Sequence, residues 1–174
     1  MGLDFTGDLT FSMYLNIESA PSKFSLINKQ STNNESYEFG YRDASGLKLF
    51  FTNTTGGTGA TEDYNTIAQD LGTGTWKRVT LEYDASAATM EFFVDGVSIG
   101  TITDTNTSIF NGTAPFTLGA HSTAVNCYDG IMDEVRVASK LLGVAYDLAS
   151  YKNHDTPNTF YSTGDEQGGS SPGS

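Results

Sequence analysis

Hydrophobic and polar residues alternate along much of this chain with a period of two. From Leu9 to Ile17 every second residue is apolar, and a similar alternation runs through Trp76–Asp84 and Met90–Val97. Because successive side chains of a strand point to opposite faces, each segment predicts a β-strand with one buried face.

Shorter strand-like segments fill most of the remaining sequence. They are residues 24–29, 36–42, 47–53, 65–71, 99–103, 116–120 and 131–137, with turn-forming residues between many of them. Only Gly143–Lys152 places apolar residues at helical spacing, and the Gly/Ser-rich residues 163–174 predict a flexible tail. The pattern therefore predicts one all-β domain over residues 1–162, an antiparallel two-sheet β-sandwich with a short helix near its C-terminal end.

The alternation also predicts which side chains face the core. The expected inward-facing residues of the central hairpin are Val79, Leu81, Tyr83, Met90, Phe92 and Val94. The expected outward-facing residues are Arg78, Thr80, Glu82, Glu91 and Phe93. Since the second set contains three charges, we predict that this face is solvated and could form a shallow groove.

Composition narrows the choice of partners. The chain has 9 Lys and Arg against 21 Asp and Glu, a net charge of −12. An acidic surface repels phosphate backbones, which argues against nucleic acid and anionic membranes as partners. No apolar run is long enough for membrane insertion, and the single cysteine, Cys127, rules out an internal disulfide.

Several motifs, taken in order, resemble the concanavalin A-like jelly rolls and, among them, the laminin-G-like domains of bacterial and archaeal surface proteins. The motifs are Leu3–Ser12, Trp76–Asp84, Phe93–Gly96, Leu118–Gly119 and Gly130–Val137. The resemblance implies a jelly-roll domain excised from a larger secreted or cell-surface protein. The family's first strand has no counterpart before Leu3, and we expect the β-prone run Thr159–Ser162 to replace it.

Two regions combine aromatic rings with hydrogen-bonding side chains, as sugar sites on sandwiches do. One is a loop with His121, Asn126, Tyr128 and Asp129, together with Tyr64 and Asn65. The other is a strand surface with Arg42, Phe50, Arg78, Glu82 and Phe93. We favour the loop, because binding residues concentrate on loops held by rigid scaffolds, although packing explains each ring taken singly.

The resemblance also implies a structural Ca²⁺ near a Gly-x-x-Asp turn, which Gly130 and Asp133 match. Calcium takes six to eight oxygen ligands, and no Asp-rich calcium loop is present. The alternative, that Asp133 only hydrogen-bonds to a neighbouring strand, stays open.

Catalysis has less support in the sequence. Sugar-cleaving relatives carry Glu-x-Asp-x-x-Glu along one strand, whereas the corresponding strand here offers Glu91 alone, with Glu82 able to face it from the neighbouring strand. We therefore expect a non-catalytic, lectin-like module that binds a glycan or polysaccharide. The alternatives are a structural or adhesive spacer that binds a surface protein, and a glycoside hydrolase or lyase.

Overall fold

The structure is a computed structural model that describes residues 3–19, 22–42, 48–59 and 66–160. Its strands are β1 (Leu9–Ser19), β2 (Lys23–Ser31), β3 (Asn34–Arg42), β4 (Lys48–Asn53), β5 (Thr66–Ala68), β6 (Trp76–Asp84), β7 (Thr89–Val94), β8 (Val97–Thr103), β9 (Thr117–Leu118) and β10 (Asp129–Ala138). Two helices follow, α1 (Val144–Asp155) and α2 (Pro157–Phe160).

The strands form two five-stranded sheets. The first, which we call the helix-bearing sheet, has the order β10-β1-β6-β7-β8. The second, which we call the opposite sheet, has the order β5-β4-β3-β2-β9. All neighbouring strands pair antiparallel, which confirms the predicted sandwich.

An aromatic core fills the space between the sheets, and it includes the residues that the alternation assigned to the inward face. Phe11 lies between Tyr37 and Phe39, with ring centroids 5.4 and 6.4 Å away, and Phe39 meets Phe92 at 6.4 Å. Each fully buried side chain of this size contributes about 1.5–3 kcal/mol through the hydrophobic effect. This core fixes the sheets as a rigid scaffold.

The outer face of the helix-bearing sheet is covered by the segment that follows β10, so the prediction of a solvated face is wrong. Arg78, Thr80, Glu82 and Phe93 are all buried. Asp147 of α1 bonds to Arg78 and Thr80, and the backbone N–H groups of Leu142 and Gly143 donate to Glu82 at 2.9 and 2.6 Å. Alternation shows which side chains share a face, but not which distant segment packs against it.

The C-terminal elements differ from the sequence prediction in two ways. Helix α1 extends to Asp155, three residues beyond the predicted end at Lys152. Thr159 lies in α2 rather than in a strand, so the predicted replacement strand is wrong there. Residues 161–162 and the predicted tail lie outside the described residues.

In the described part of the chain, no helix has the length and apolarity needed to cross a membrane.

Candidate functional site

A cavity of about 380 Å³ lies where the C-terminal half of α1 meets the helix-bearing sheet. We call it the helix-side pocket. It is lined by Tyr14, Trp76, Asp95, Asp133, Tyr151, His154 and Asp155. Its volume falls in the range of about 300–1,000 Å³ that is typical of small-molecule sites.

The sheet supplies one wall of the pocket through strand register. Trp76 begins β6 and shares the outward parity of Arg78, opposite Asn16 of β1. Tyr14 of β1 lies opposite Arg78 on one side and Asp133 of β10 on the other. Trp76, the only tryptophan of the chain, is 47% exposed, so its indole is available to a ligand.

The β7–β8 turn supplies Asp95. Asp95 and Gly96 both have positive φ, 52° and 75°, as a two-residue type I′ hairpin turn requires. The Asp95 carboxylate accepts from the Lys77 ammonium at 2.7 Å and from the Arg78 backbone N–H at 3.0 Å. A Cβ at position 96 would lie 3.0 Å from the Leu148 Cα, so glycine also lets α1 pack closely against the turn.

Helix α1 supplies the remaining wall. Tyr151, His154 and Asp155 are spaced i, i+3 and i+4, which places them on one face of the helix. The His154 ring lies 4.5 Å from the Tyr14 ring, centroid to centroid. Burial raises the pKa of Tyr151, and the negative charges of Asp95 and Asp155 raise this pKa further.

Tyr14 carries a buried hydroxyl. The residue is 7% exposed, and within the described residues its hydroxyl has no hydrogen-bond partner. Burial raises the pKa of Tyr14, while the Arg78 guanidinium, 5.5 Å from the ring centroid, opposes that shift. An unpaired buried polar group costs about 1–3 kcal/mol, which is tolerated more readily where a ligand can supply the partner.

Two other cavities, of about 550 and 610 Å³, are lined by polar groups that the fold already uses. In the first, Asn53 donates to Asp104 at 2.8 Å and Asn106 donates to Asn53 at 2.6 Å. In the second, Lys29 is paired with Asp4 at 3.0 Å. The helix-side pocket, with its exposed indole, is therefore the better candidate.

The predicted sugar-binding loop lies between β9 and β10. It contains His121, Asn126 and Tyr128, and Asp129 follows as the first residue of β10. Tyr64 and Asn65 lie outside the described residues. The Tyr128 ring lies edge-on to Phe24 at 5.2 Å, and its hydroxyl donates to the Ile131 carbonyl at 3.1 Å. This burial raises the pKa of Tyr128 to about 12.

The other polar groups of this loop also make internal contacts. The Asn126 carbonyl accepts from the Ser25 N–H at 2.9 Å, and the Asp129 carboxylate accepts from the Ser19 hydroxyl. The His121 imidazole lies 3.3 Å from the Thr123 hydroxyl. That this loop binds a sugar stays a prediction. Its aromatic ring, Tyr128, already packs against Phe24 of the core.

The predicted strand-surface site does not assemble, and that prediction is wrong. Arg42 and Phe50 belong to the opposite sheet, whereas Arg78, Glu82 and Phe93 lie buried on the helix-bearing sheet. Alternation assigns faces within a strand, and it does not show which strands share a sheet.

The predicted calcium ligands lie on β10, close to the helix-side pocket. Asp133 Oδ1 accepts from the Glu134 N–H at 2.7 Å, and Gly130 pairs with Ile17 of β1. Within the described residues, no group of three or more His, Cys, Asp or Glu side chains is arranged to hold a metal. Structural calcium at Gly130 and Asp133 stays a prediction, which a melting curve in EDTA tests.

The two glutamates considered for catalysis do face each other, as Glu82 lies directly opposite Glu91 in the β6–β7 register. However, Glu82 Oε1 accepts two backbone N–H groups, and Glu91 accepts from the Ser98 hydroxyl at 2.5 Å. These contacts are structural, and Glu82 is buried beneath the segment that leads into α1.

Sequence reasoning identified only one residue of the helix-side pocket, Asp133, and assigned it to calcium. Trp76 served as a landmark of the fold, and the predicted helix ended before His154 and Asp155. The i, i+3, i+4 spacing of Tyr151, His154 and Asp155 was the available signal, once the helix is extended to Asp155.

The family model Laminin_G_3, of the concanavalin A-like lectin/glucanases superfamily, matches residues 2–145 of this chain. The chain belongs to this family. The match ends at the start of α1, so Tyr151, His154 and Asp155 lie beyond it. No curated protein matches the chain significantly.

Solved structures with the same fold include proteins described with glycans. One is the sialidase CBM40 of Ruminococcus gnavus bound to α2,3-sialyllactose, with TM-score 0.64, 17% identity, and 84% of each chain covered. Another is domain 4 of an extracellular arabinanase from Geobacillus stearothermophilus in complex with arabinotriose, with TM-score 0.62, 15% identity, and 84% of this chain and 68% of that chain covered.

A further structure with the same fold is a native heptameric SAP-like pentraxin from Limulus polyphemus, with TM-score 0.62, 12% identity, and 87% of this chain and 77% of that chain covered. At these identities, the likeness shows a shared fold.

Proposed function

We propose that this protein binds a glycan without cleaving it, as a lectin-like domain of a larger secreted or cell-surface protein, and that the helix-side pocket is its sugar site. The observation that carries the proposal is the exposed indole of Trp76 at a cavity lined by three carboxylates. An aromatic face stacks on the apolar face of a sugar ring, and carboxylates accept hydrogen bonds from its hydroxyls.

The family and the fold add support. Structural neighbours described with sialyllactose and with arabinotriose show that sandwiches of this shape can present sugar sites. The non-catalytic part of the proposal is supported by the structural use of Glu82, because a carboxylate that accepts two backbone N–H groups beneath a packed segment is not accessible to a substrate.

A glycan array followed by calorimetry tests the proposal. We expect binding to a set of related glycans, no release of reducing ends from those glycans, and at least roughly tenfold weaker binding by Trp76→Ala, because aromatic anchors at the centre of a site dominate affinity. Val97→Ala is the matched control, since Val97 is 62% exposed but does not line the pocket.

The alternatives have distinct outcomes. No binding on arrays with and without Ca²⁺ would contradict the proposal and favour a structural or adhesive spacer. Wild-type affinity in Trp76→Ala would remove the helix-side pocket and favour the loop of His121, Asn126, Tyr128 and Asp129. Release of reducing ends would favour a glycoside hydrolase or lyase.

A further inference from the structure

The helix-side pocket contains more negative charge than the fold neutralises. Asp95 is paired with Lys77, Arg78 is paired with Asp147 at 2.8 Å, and Arg136 of β10 is paired with Glu134. Asp133 and Asp155 form no ion pair with any residue in the described part of the chain. Of the residues that line the pocket, only His154 can carry a positive charge.

The C-terminus of α1 adds to this negative field. Asp155 is the last residue of a 12-residue helix, where the aligned peptide dipoles leave a partial negative charge. A carboxylate at that end is unfavourable for the helix itself, because the position favours Lys, Arg or His. Lys152 and His154 follow that preference, whereas Asp155 does not.

The aromatic side chains of the pocket favour the same sign of charge. Of the three Tyr and Trp rings that line the pocket, Tyr14 already has the Arg78 guanidinium over its face at 5.5 Å. The faces of Trp76 and Tyr151, the negative regions of their quadrupoles, attract a ligand cation placed over them. Indole gives the strongest such interaction, and Trp76 is the most accessible of the three rings. Carboxylates, the helix terminus and rings therefore all favour a positively charged ligand group.

We propose that the helix-side pocket selects a glycan residue that carries a protonated amine, an amino sugar with a free amino group, and disfavours sugars that carry a carboxylate. This inference rests on the proposed function, because it names the class of sugar that the same pocket takes. The ammonium contacts the Asp133 and Asp155 carboxylates, and the sugar ring stacks on Trp76.

The inference separates this protein from one of its structural neighbours. The Ruminococcus gnavus domain is described with sialyllactose, a sugar that bears a carboxylate. At the helix-side pocket such a group would meet two carboxylates without cationic partners, and like charges at short range repel. We expect no measurable binding of sialyllactose at this pocket.

Calorimetry with three oligosaccharides tests the inference in mildly acidic buffer, in which the sugar amine is protonated. The probes are a β1,4-linked glucosamine trimer, its fully N-acetylated counterpart and sialyllactose. We expect the glucosamine trimer to bind about tenfold more tightly than the N-acetylated trimer, and added NaCl to weaken only the former, because salt screens the attraction between charges.

Two double variants with equal changes in net charge identify the carboxylates responsible. Asp133→Asn with Asp155→Asn keeps the side-chain size and should remove the preference for the amine. Glu18→Gln with Asp70→Asn alters two exposed acids outside the pocket, and this variant should keep the preference for the amine. Equal melting temperatures of the two double variants would show that the pocket variant is folded.

The outcomes distinguish this inference from the proposed function. Equal affinity for the amine and the N-acetylated trimer overturns the selectivity and leaves sugar binding in place. A preference that survives in the Asp133→Asn, Asp155→Asn variant overturns the role of these carboxylates. No binding of these trimers or of any array glycan overturns both proposals.

Discussion

Helix α1 contacts the helix-bearing sheet near both of its ends, and the two contacts use their polar groups differently. Near the N-terminal end, Asp147 Oδ1 accepts from Arg78 Nε and Nη2 at 3.0 and 2.8 Å and from the Thr80 hydroxyl at 2.6 Å. Near the C-terminal end, Asp155 faces a cavity beside an exposed Trp76.

The difference assigns a role to each end. The Arg78–Asp147 pair is about 1% and 2% exposed, and its hydrogen bonds, all made through Asp147 Oδ1, hold the helix in place. At the other end, Asp133 and Asp155 form no ion pair within the described residues and the Trp76 indole is exposed, which suits a binding site. One end of the helix serves the fold and the other can serve a ligand.

The largest expected effect comes from breaking the first contact. Asp147→Ala leaves the buried Arg78 guanidinium without its partner, and we expect a loss of about 3–5 kcal/mol in the free energy of unfolding, measured with a chemical denaturant. Because α1 forms one wall of the helix-side pocket, glycan affinity should fall as well.

Arg78→Met combined with Asp147→Leu is the control for that variant, because apolar side chains of similar size can replace a buried ion pair at little cost. This double variant should recover most of the stability lost in Asp147→Ala. An Asp147→Ala variant as stable as the wild-type protein would contradict the role of Asp147 in holding α1.

A smaller effect is expected from the aromatic ring of the β9–β10 loop. Tyr128 packs on Phe24, so Tyr128→Ala should lower the free energy of unfolding by about 1–3 kcal/mol, less than for a fully buried ring. Glycan affinity should stay unchanged in calorimetry on the folded variant. A large loss of affinity would instead support the loop as the sugar site.

The smallest effect on stability is expected from Tyr14→Phe. The Tyr14 hydroxyl has no hydrogen-bond partner in the described part of the chain. Its removal should therefore leave the free energy of unfolding unchanged or raise it by up to about 1 kcal/mol, as a thermal or denaturant melt would show. Weaker glycan binding by the same variant would show that the ligand supplies the missing partner. A clear destabilisation would mean that the fold already uses this hydroxyl.

The sequence predicted the sandwich because strand alternation is a local property. Leu9 to Ile17 and Val79 to Tyr83 each place their core residues by parity alone. The same logic failed for Arg78 and Glu82, because the segment that covers them is distant in sequence. Leu142 lies 60 residues after Glu82, and Asp147 lies 69 residues after Arg78.

The pocket was harder to predict for the same reason. Its residues come from β1, β6, the β7–β8 turn, β10 and α1, and only tertiary packing brings them together. The loop was favoured because binding residues concentrate on loops held by rigid scaffolds. In the structure its Tyr128 ring packs on Phe24, whereas Trp76 is 47% exposed.

The most direct test of the helix-side pocket uses Trp76 as its own reporter, because the chain has only one tryptophan. Tryptophan emission is recorded while the tightest-binding glycan from the array is added. We predict a saturable change in emission, with the same Kd as calorimetry gives. Calorimetric binding with unchanged emission would place the sugar elsewhere and contradict the assignment of this pocket.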